Sequence, residues 1–230
     1  FLDQADGQLR PEGAAVTWTA GLKPGQSRAL HVAIPSITLT EEQEIASVRS
    51  LVFDAEARRV GAFWRDVTAR GTQIETPEPW INDFYKAHMR HLLVNCFQEL
   101  DTDYLHAHVG TFHYGVYPNE SVMMISDLDR RGYHDEARRN YDAFLHYQGT
   151  VGMPGNFQSR EGQFYGAGGH ETGGYNKSHG YVMWGLAEHW RYTRDRAWMA
   201  QAAPGLVKAC EWVIRERNGT RLRLRNSSRL

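Results

Sequence analysis

Two periods of apolar residues divide the chain. Up to about residue 40 apolar and polar positions alternate, which predicts strands. "AAVTWTAGL" (Ala14–Leu22) and "RALHVAIPSITL" (Arg28–Leu39) each read as a strand, with "KPGQS" as the turn between them. Two such strands are not stable alone, so they read as the end of a β domain. From Thr40 the period lengthens. Thr40 stands before Glu41, Glu42 and Glu44, a helix start, and "TEEQEIASVRSLVFDAEARRVGAFWRDV" reads as one long connecting helix within residues 41–75.

Five more helices follow at a period of three to four residues. Thr76 and Pro77 open the first, whose apolar stripe is Ile81, Phe84, Tyr85, His88, Leu92, Cys96 and Leu100. "ESVMMISDLDRR" is shorter and ends at Gly132. "HDEARRNYDAFLHYQ" has Ala137, Tyr141, Phe144, Leu145 and Gln148 on one face. "NKSHGYVMWGLAEHWRYTRD" is apolar nearly all round at its start. "RAWMAQAAPGLVKACEWVIRER" carries Met199, Ala202, Leu206, Cys210, Val213 and Ile214 on one stripe, with Pro204 as a candidate kink. The helices beginning near Glu120 and Asn176 are predicted to be buried on more than one side, and those near His134 and Asp195 on one. The joins "DLDRRGYHDEARR" and "EHWRYTRDRAWMA" are alike and about 60 residues apart, the mark of a repeated helical hairpin.

Composition narrows the function. The chain has 230 residues and formal net charge −1, which provides no footprint for nucleic acid or an anionic membrane. The basic stretch "RERNGTRLRLRNSSRL" reads as a solvated end. No apolar run is long enough to span a bilayer. Cys96 and Cys210 lack metal-ligand spacing and read as buried free thiols. The load of 7 Trp, 11 Tyr and 9 Phe suits a helical core, and it also suits sugar binding, where a pyranose face stacks on a ring.

Two segments hold the candidate chemistry. "GTFHYGVYPNES" (Gly110–Ser121) is richer in rings than a connection needs. His113, Tyr114 and Tyr117 could wall a sugar, Asn119 and Glu120 could bind its hydroxyls, and Pro118 sets the helix start. The bland alternative makes Asn119 a helix cap and Glu120 a partner of the helix dipole. "GNFQSREGQFYGAGGHETGGYNKSHGY" (Gly155–Tyr181) interleaves glycines with Tyr165, Tyr175, Asn176 and His179. Glu171 is its candidate general acid or hydroxyl acceptor, alone or with Glu161. A phosphate loop lacks GxxxxGK[ST] and a preceding strand. His170 and His179 lack metal-ligand spacing.

The order "RRGYHDEARRNYDAFLHYQ", a Gly-rich loop, then "GLAEHWRYTRDRAWMAQAAPGLVKACEWV" resembles the bacterial (α/α)6, or six-hairpin, glycosidases. "LKPGQSRALHVAIP" and the long helix resemble the β-sandwich and linker that precede the ring in many of them. The resemblance implies a mainly α chain with three parts. Residues 1–40 would be the last strands of a β-sandwich, 41–75 a linker helix, and 76–230 the first hairpins of an incomplete (α/α)6 barrel. The Glu120 position is similar to an acidic residue in related families that holds a sugar without doing the chemistry. The resemblance further implies inverting hydrolysis of a glycoside or oligosaccharide by two carboxylates roughly 6.5–9.5 Å apart. In several such families the catalytic acid opens the third inner helix, so the main pair is expected beyond this chain, which reads as a piece of a longer protein. The expected partner is a carbohydrate, with no cofactor, no metal, no nucleic acid and no membrane. A non-catalytic carbohydrate-binding or scaffold module on the same ring is the alternative.

Overall fold

The computed structural model describes residues 7–110, 115–166 and 177–227, with side chains as far as Thr220. It is mainly helical, 54% helix in seven helices among the described residues, with small two-stranded sheets. The chain divides into two units, Phe1–Arg65 and Asp66–Leu230.

In the first unit β1 (Gln8–Glu12) pairs antiparallel with β2 (Ala15–Thr19). The turn between them places Gly13 at φ +64°, which glycine supplies without strain. The predicted partner strand, Arg28–Leu39, does not form. It contains only an isolated bridge at Val32, and β2 pairs with the nearer segment through the tight turn. The predicted long helix is also interrupted. Helix α1 (Glu42–Arg49) starts with a capping box between Glu41 and Glu44, and the chain breaks over 50–52 before α2 (Phe53–Ala69). No described residue of this unit is buried.

The second unit holds the core. Helix α3 spans Pro79–Val94 and stops six residues short of the predicted end. The chain turns at Asn95 into β3 (Cys96–Gln98), which pairs antiparallel with β4 (Leu105–Ala107) around a polar turn with Asp101 at φ 60°. Leu100, placed on the helical stripe by its spacing, is 87% exposed in that turn. Helices α4 (Pro118–Arg130), α5 (His134–His146), α6 (Ser178–Thr193) and α7 (Arg196–Ser227) follow.

Side-chain contacts fix their directions. A methyl built on Gly185 would lie 2.7 Å from Val122 Cγ1, and one turn later in α6 His189 Nδ1 donates to Asp129, at 2.9 Å. Both contacts advance in the same sense, so α4 and α6 run parallel. Trp198 Nε1–H donates to Asp142 Oδ1 at 2.8 Å, and Gln148 Nε2–H donates to the Gly205 carbonyl at 2.9 Å. Helices α5 and α7 are therefore parallel too. Within each hairpin the helices are antiparallel: Ser126 meets Tyr141, and His179 reaches the Ala209 carbonyl. The result is a pair of parallel hairpins.

The joins use left-handed residues at corresponding places, Gly132 (φ +86°) and Arg194 (φ 53°). At the first join the Tyr133 N–H donates to the Leu128 carbonyl and the Gly132 N–H to the Asp129 carbonyl, a Schellman stop. At the second, Asp195 Oδ1 accepts from the Trp198 N–H and caps α7.

Burial follows the expected alternation only in part. Eight of the 13 residues of α4 are buried, against five of 13 in α5. Helix α6 buries six of 16, no larger a share than α5, and leaves Trp184 and Tyr192 each 41% exposed. Helix α7 keeps its predicted stripe in its first half, where Ala202 is buried and Met199 and Leu206 pack against the core, and departs from it by about one residue in the second half. Trp198, Ala202, Ala209, Trp212 and Glu216 face inward, while Cys210, Val213 and Ile214 are exposed. Two indole rings seat this helix, and Val213 beside the second turns outward. Pro204 lies inside the unbroken span of α7. Cys96 is half-buried, its thiol pushed up to about 11 by burial, whereas Cys210 is open to solvent, so only one cysteine matches the buried reading.

Gly185 measures how closely the two hairpins pack, since its added methyl would meet both Val122 and the Tyr141 hydroxyl at 2.7 Å. Gly185→Ala is expected to lower stability by about 1–3 kcal/mol despite the better helix propensity of alanine. Gly180, in the same helix, has nothing within 4 Å of an added methyl. Gly180→Ala is expected to raise stability by up to about 1 kcal/mol. Chemical denaturation of the two variants checks the opposite signs.

Candidate functional site

The starts of α4 and α6 lie at the same end of their parallel pair. Tyr117 is the N-cap residue of α4 and makes no side-chain cap; Pro118 occupies N1 with its φ preset. Asn119 is thus the second helical residue and not the cap. It is 2% exposed, and its Oδ1 has no hydrogen-bond partner. Glu120 stands half-buried on the same turn, where the helix N-terminus favours negative charge. Ser121 Oγ–H donates to the Ala107 carbonyl at 2.6 Å and ties this turn to β4.

At the start of α6, Ser178 is fully buried and its Oγ also lacks a partner. An unpaired buried polar atom costs about 1–3 kcal/mol. Such atoms are rare in folded proteins, and each calls for an explanation. One lies on the first turn of each of α4 and α6, and Asn95 Oδ1 and Asn140 Oδ1 are two more in this unit.

His179 is held at both nitrogens. Nδ1 accepts from the Phe164 N–H at 3.0 Å, so Nε2 carries the proton and donates to the Ala209 carbonyl at 3.2 Å. That leaves neither nitrogen for a ligand. Burial lowers its pKa, and the ring of Trp212 lies 4.7 Å away. Tyr165 is buried beside Phe164, packing with Met153 and Trp212. Val116, just before the start of α4, and Phe164, in the segment leading to α6, belong to one buried cluster with Val122 and Val182. Along the outer side of this end Tyr181, Met183, Trp184, Trp212, Val213 and Lys177 line a hollow of about 520 Å³.

Five of the predicted site residues, His113, Tyr114, Glu171, Tyr175 and Asn176, lie outside the described residues, as does His170. Tyr117, Asn119, Glu120, Tyr165 and His179 are described, and all belong to the two helix starts and the segment leading to α6. Glu161 is exposed.

Three arrangements escaped the sequence reading. Asp129, with its side chain wholly buried, accepts from Nδ1–H of His189 and of His134, each at 2.9 Å, at the far end of α4. Glu99 joins the buried His106 (2.8 Å) to the Tyr147 hydroxyl and pins the β3–β4 hairpin to the end of α5. Glu216 accepts backbone N–H groups of Gln158 and Ser159. Each includes a pair far apart in sequence: Asp129 with His189, Glu99 with Tyr147, and Glu216 with Gln158. The only local signal was the His and carboxylate content of the joins between helices.

Among the described residues no group of three His, Cys, Asp or Glu could hold a metal ion, and no helix is long and apolar enough to cross a membrane. No protein-family profile, curated protein or solved structure matches this chain.

The lowered pKa of His179 has a definite consequence. Its ordinary value is 6.5, and the unfolded chain takes up a proton there before the folded one does. Stability should therefore be level above that pH and fall as pH drops from it toward the depressed folded value. His106, also lowered chiefly by burial, adds to the same slope. Replacing His179 by Gln should flatten the decline, as read from denaturation midpoints between pH 7 and pH 5.

Proposed function

We propose that this chain forms part of the sugar-holding end of a glycosidase of the (α/α)6 kind, acting on an oligosaccharide or glycoside by inverting acid/base hydrolysis. The observation that carries the reading is the pair of parallel inner helices, each with an unpaired buried polar atom, Asn119 Oδ1 and Ser178 Oγ, on its first turn. A ring of helical hairpins brings the starts of its inner helices to one face. Two parallel hairpins, with apolar residues such as Trp184 and Tyr192 left exposed on α6, are what a portion of such a ring presents. The incomplete barrel remains part of the proposal, as does a β-sandwich built on the β1–β2 pair.

In this reading Glu120 accepts from sugar hydroxyls, Asn119 adds a further acceptor, and Tyr117 walls the ring of the sugar, while Tyr165, buried against Met153 and Trp212, supports the segment leading to α6. Glu171 is the proposed general acid or hydroxyl acceptor in the Gly-rich segment. The described residues of the site hold substrate; hydrolysis needs a second carboxylate across the scissile bond. A non-catalytic carbohydrate-binding module rests on the same holding geometry, and a screen for turnover of aryl glycosides separates the two.

Glu120→Gln keeps the shape of the side chain and removes its charge. A charge-assisted hydrogen bond contributes about 1.5–3 kcal/mol, so affinity should fall about 10- to 150-fold with little change in stability. A residue that only complements the helix dipole would leave affinity unchanged and lower stability by about 0.3–1 kcal/mol. Calorimetric titration with a disaccharide panel, together with thermal unfolding of the same variant, distinguishes these results.

A further inference from the structure

The segment that feeds the start of α6 is fastened along α7, and the fastening centres on one carboxylate. Glu216 is 7% exposed. The Gln158 N–H donates to both its oxygens at 3.0 Å, and the Ser159 N–H donates to Oε1 at 3.1 Å. Trp212 Nε1–H donates to the Ser159 carbonyl at 2.6 Å, and Arg215 Nη2–H to the Glu161 carbonyl at 2.7 Å. Beyond these, Gly162 (φ +89°) passes so near α7 that an added methyl would lie 2.4 Å from the Lys208 carbonyl oxygen. The strap is also braced within itself, since Gln163 Oε1 accepts the Met153 N–H at 2.9 Å. Two residues past Gly162 comes Phe164, whose N–H is held by His179.

We propose that Glu216 is a positioning residue for the sugar site, which rests on the reading of that site given above. A surface loop of this length would satisfy its N–H groups with water. Here two consecutive N–H groups converge on one buried carboxylate from the adjacent helix, an arrangement that fixes backbone position more than it adds area. Glu216 holds the strap against α7. The strap then holds Phe164 against His179, so that a ligand meets a start of α6 already fixed in place. Its effect on binding passes through Phe164 and the His179 contact at the start of α6, and its own side chain touches no ligand.

The test uses the full chain with Glu216→Ala, Glu216→Gln and Trp198→Phe. Trp198 lies at the opposite end of the bundle and serves as a control for lost stability alone. Maltose, cellobiose and mannobiose are titrated calorimetrically well below every melting temperature, and amide hydrogen exchange is followed at Gln158, Ser159 and Phe164. Glu216→Ala should speed exchange at these amides and weaken binding of whichever disaccharide the unsubstituted protein takes, each by about tenfold or more. Glu216→Gln retains an acceptor oxygen and should fall between. Trp198→Phe should lower the melting temperature and leave affinity alone. Equal affinity in Glu216→Ala, or an equal loss in Trp198→Phe, overturns the positioning role; unchanged exchange overturns the fastening itself. If the unsubstituted protein binds none of the three sugars, the sugar reading falls and the positioning role with it, while the exchange rates still report whether Glu216 holds the strap.

Discussion

The carboxylate of Asp129 joins the two hairpins. It is wholly buried at the end of α4, and it accepts hydrogen bonds from His134 at the start of α5 and from His189 in α6. His189 in turn lies edge-on to Trp198, whose indole N–H reaches Asp142 on α5. One acid thereby ties three helices, and the fourth follows through an indole. Removing one partner from such a buried network destabilises by several kcal/mol, because the remaining polar groups stay buried without their bonds. The parallel setting of α4 and α6 depends on this node at one end and on the close approach of Val122 to Gly185 nearer the other.

The opposite end is built differently. There α4 and α6 begin, and beside the Glu99–His106–Tyr147 link most of the polar groups are bound to backbone or left unpaired. His179 and Glu216 are occupied by main-chain N–H and carbonyl groups of segments that would otherwise be loops. Asn119 and Ser178 keep unpaired atoms on the first turns. One end of the bundle is thus closed by the Asp129 network, and the other combines one side-chain link with fixed backbone and uncompensated polarity. A fold that concentrates stability at one end can carry such costs at the other.

The first unit obeys other constraints. Its two helices and two strands bury no described residue, and Leu51, Val52, Phe53 and Phe63 stay exposed. His31 stacks on Phe53 at 4.3 Å, one of its few ring contacts. Alternation in Arg28–Leu39 was a signal for a half-buried strand, yet without a sheet to bury its face the segment forms only a bridge.

Much of the second unit was legible in the sequence, because helix period, Pro at the first helical position and Gly after the last are local quantities. Pro118 and Gly132 bracket α4, and the matching joins disclosed the repeated hairpin. Which face meets which neighbour was determined only in part: Ala137, Tyr141 and Phe144 of α5 are buried as their spacing predicts, whereas α7 departs from its stripe. The second half of the stripe on α7 was displaced by a residue because Trp212 found partners in α6 and the strap, and an aliphatic stripe has no means of announcing that. Helix α3 ended early because Cys96–Gln98 had a strand at Leu105–Ala107 to pair with. The segments rich in rings and glycine were visible as places for chemistry, since such residues are too many for a plain connection. That His179 serves backbone and that Glu216 fastens the strap were decided only by tertiary structure, because a hydrogen bond between residues 58 positions apart leaves no periodic trace in either one's neighbourhood.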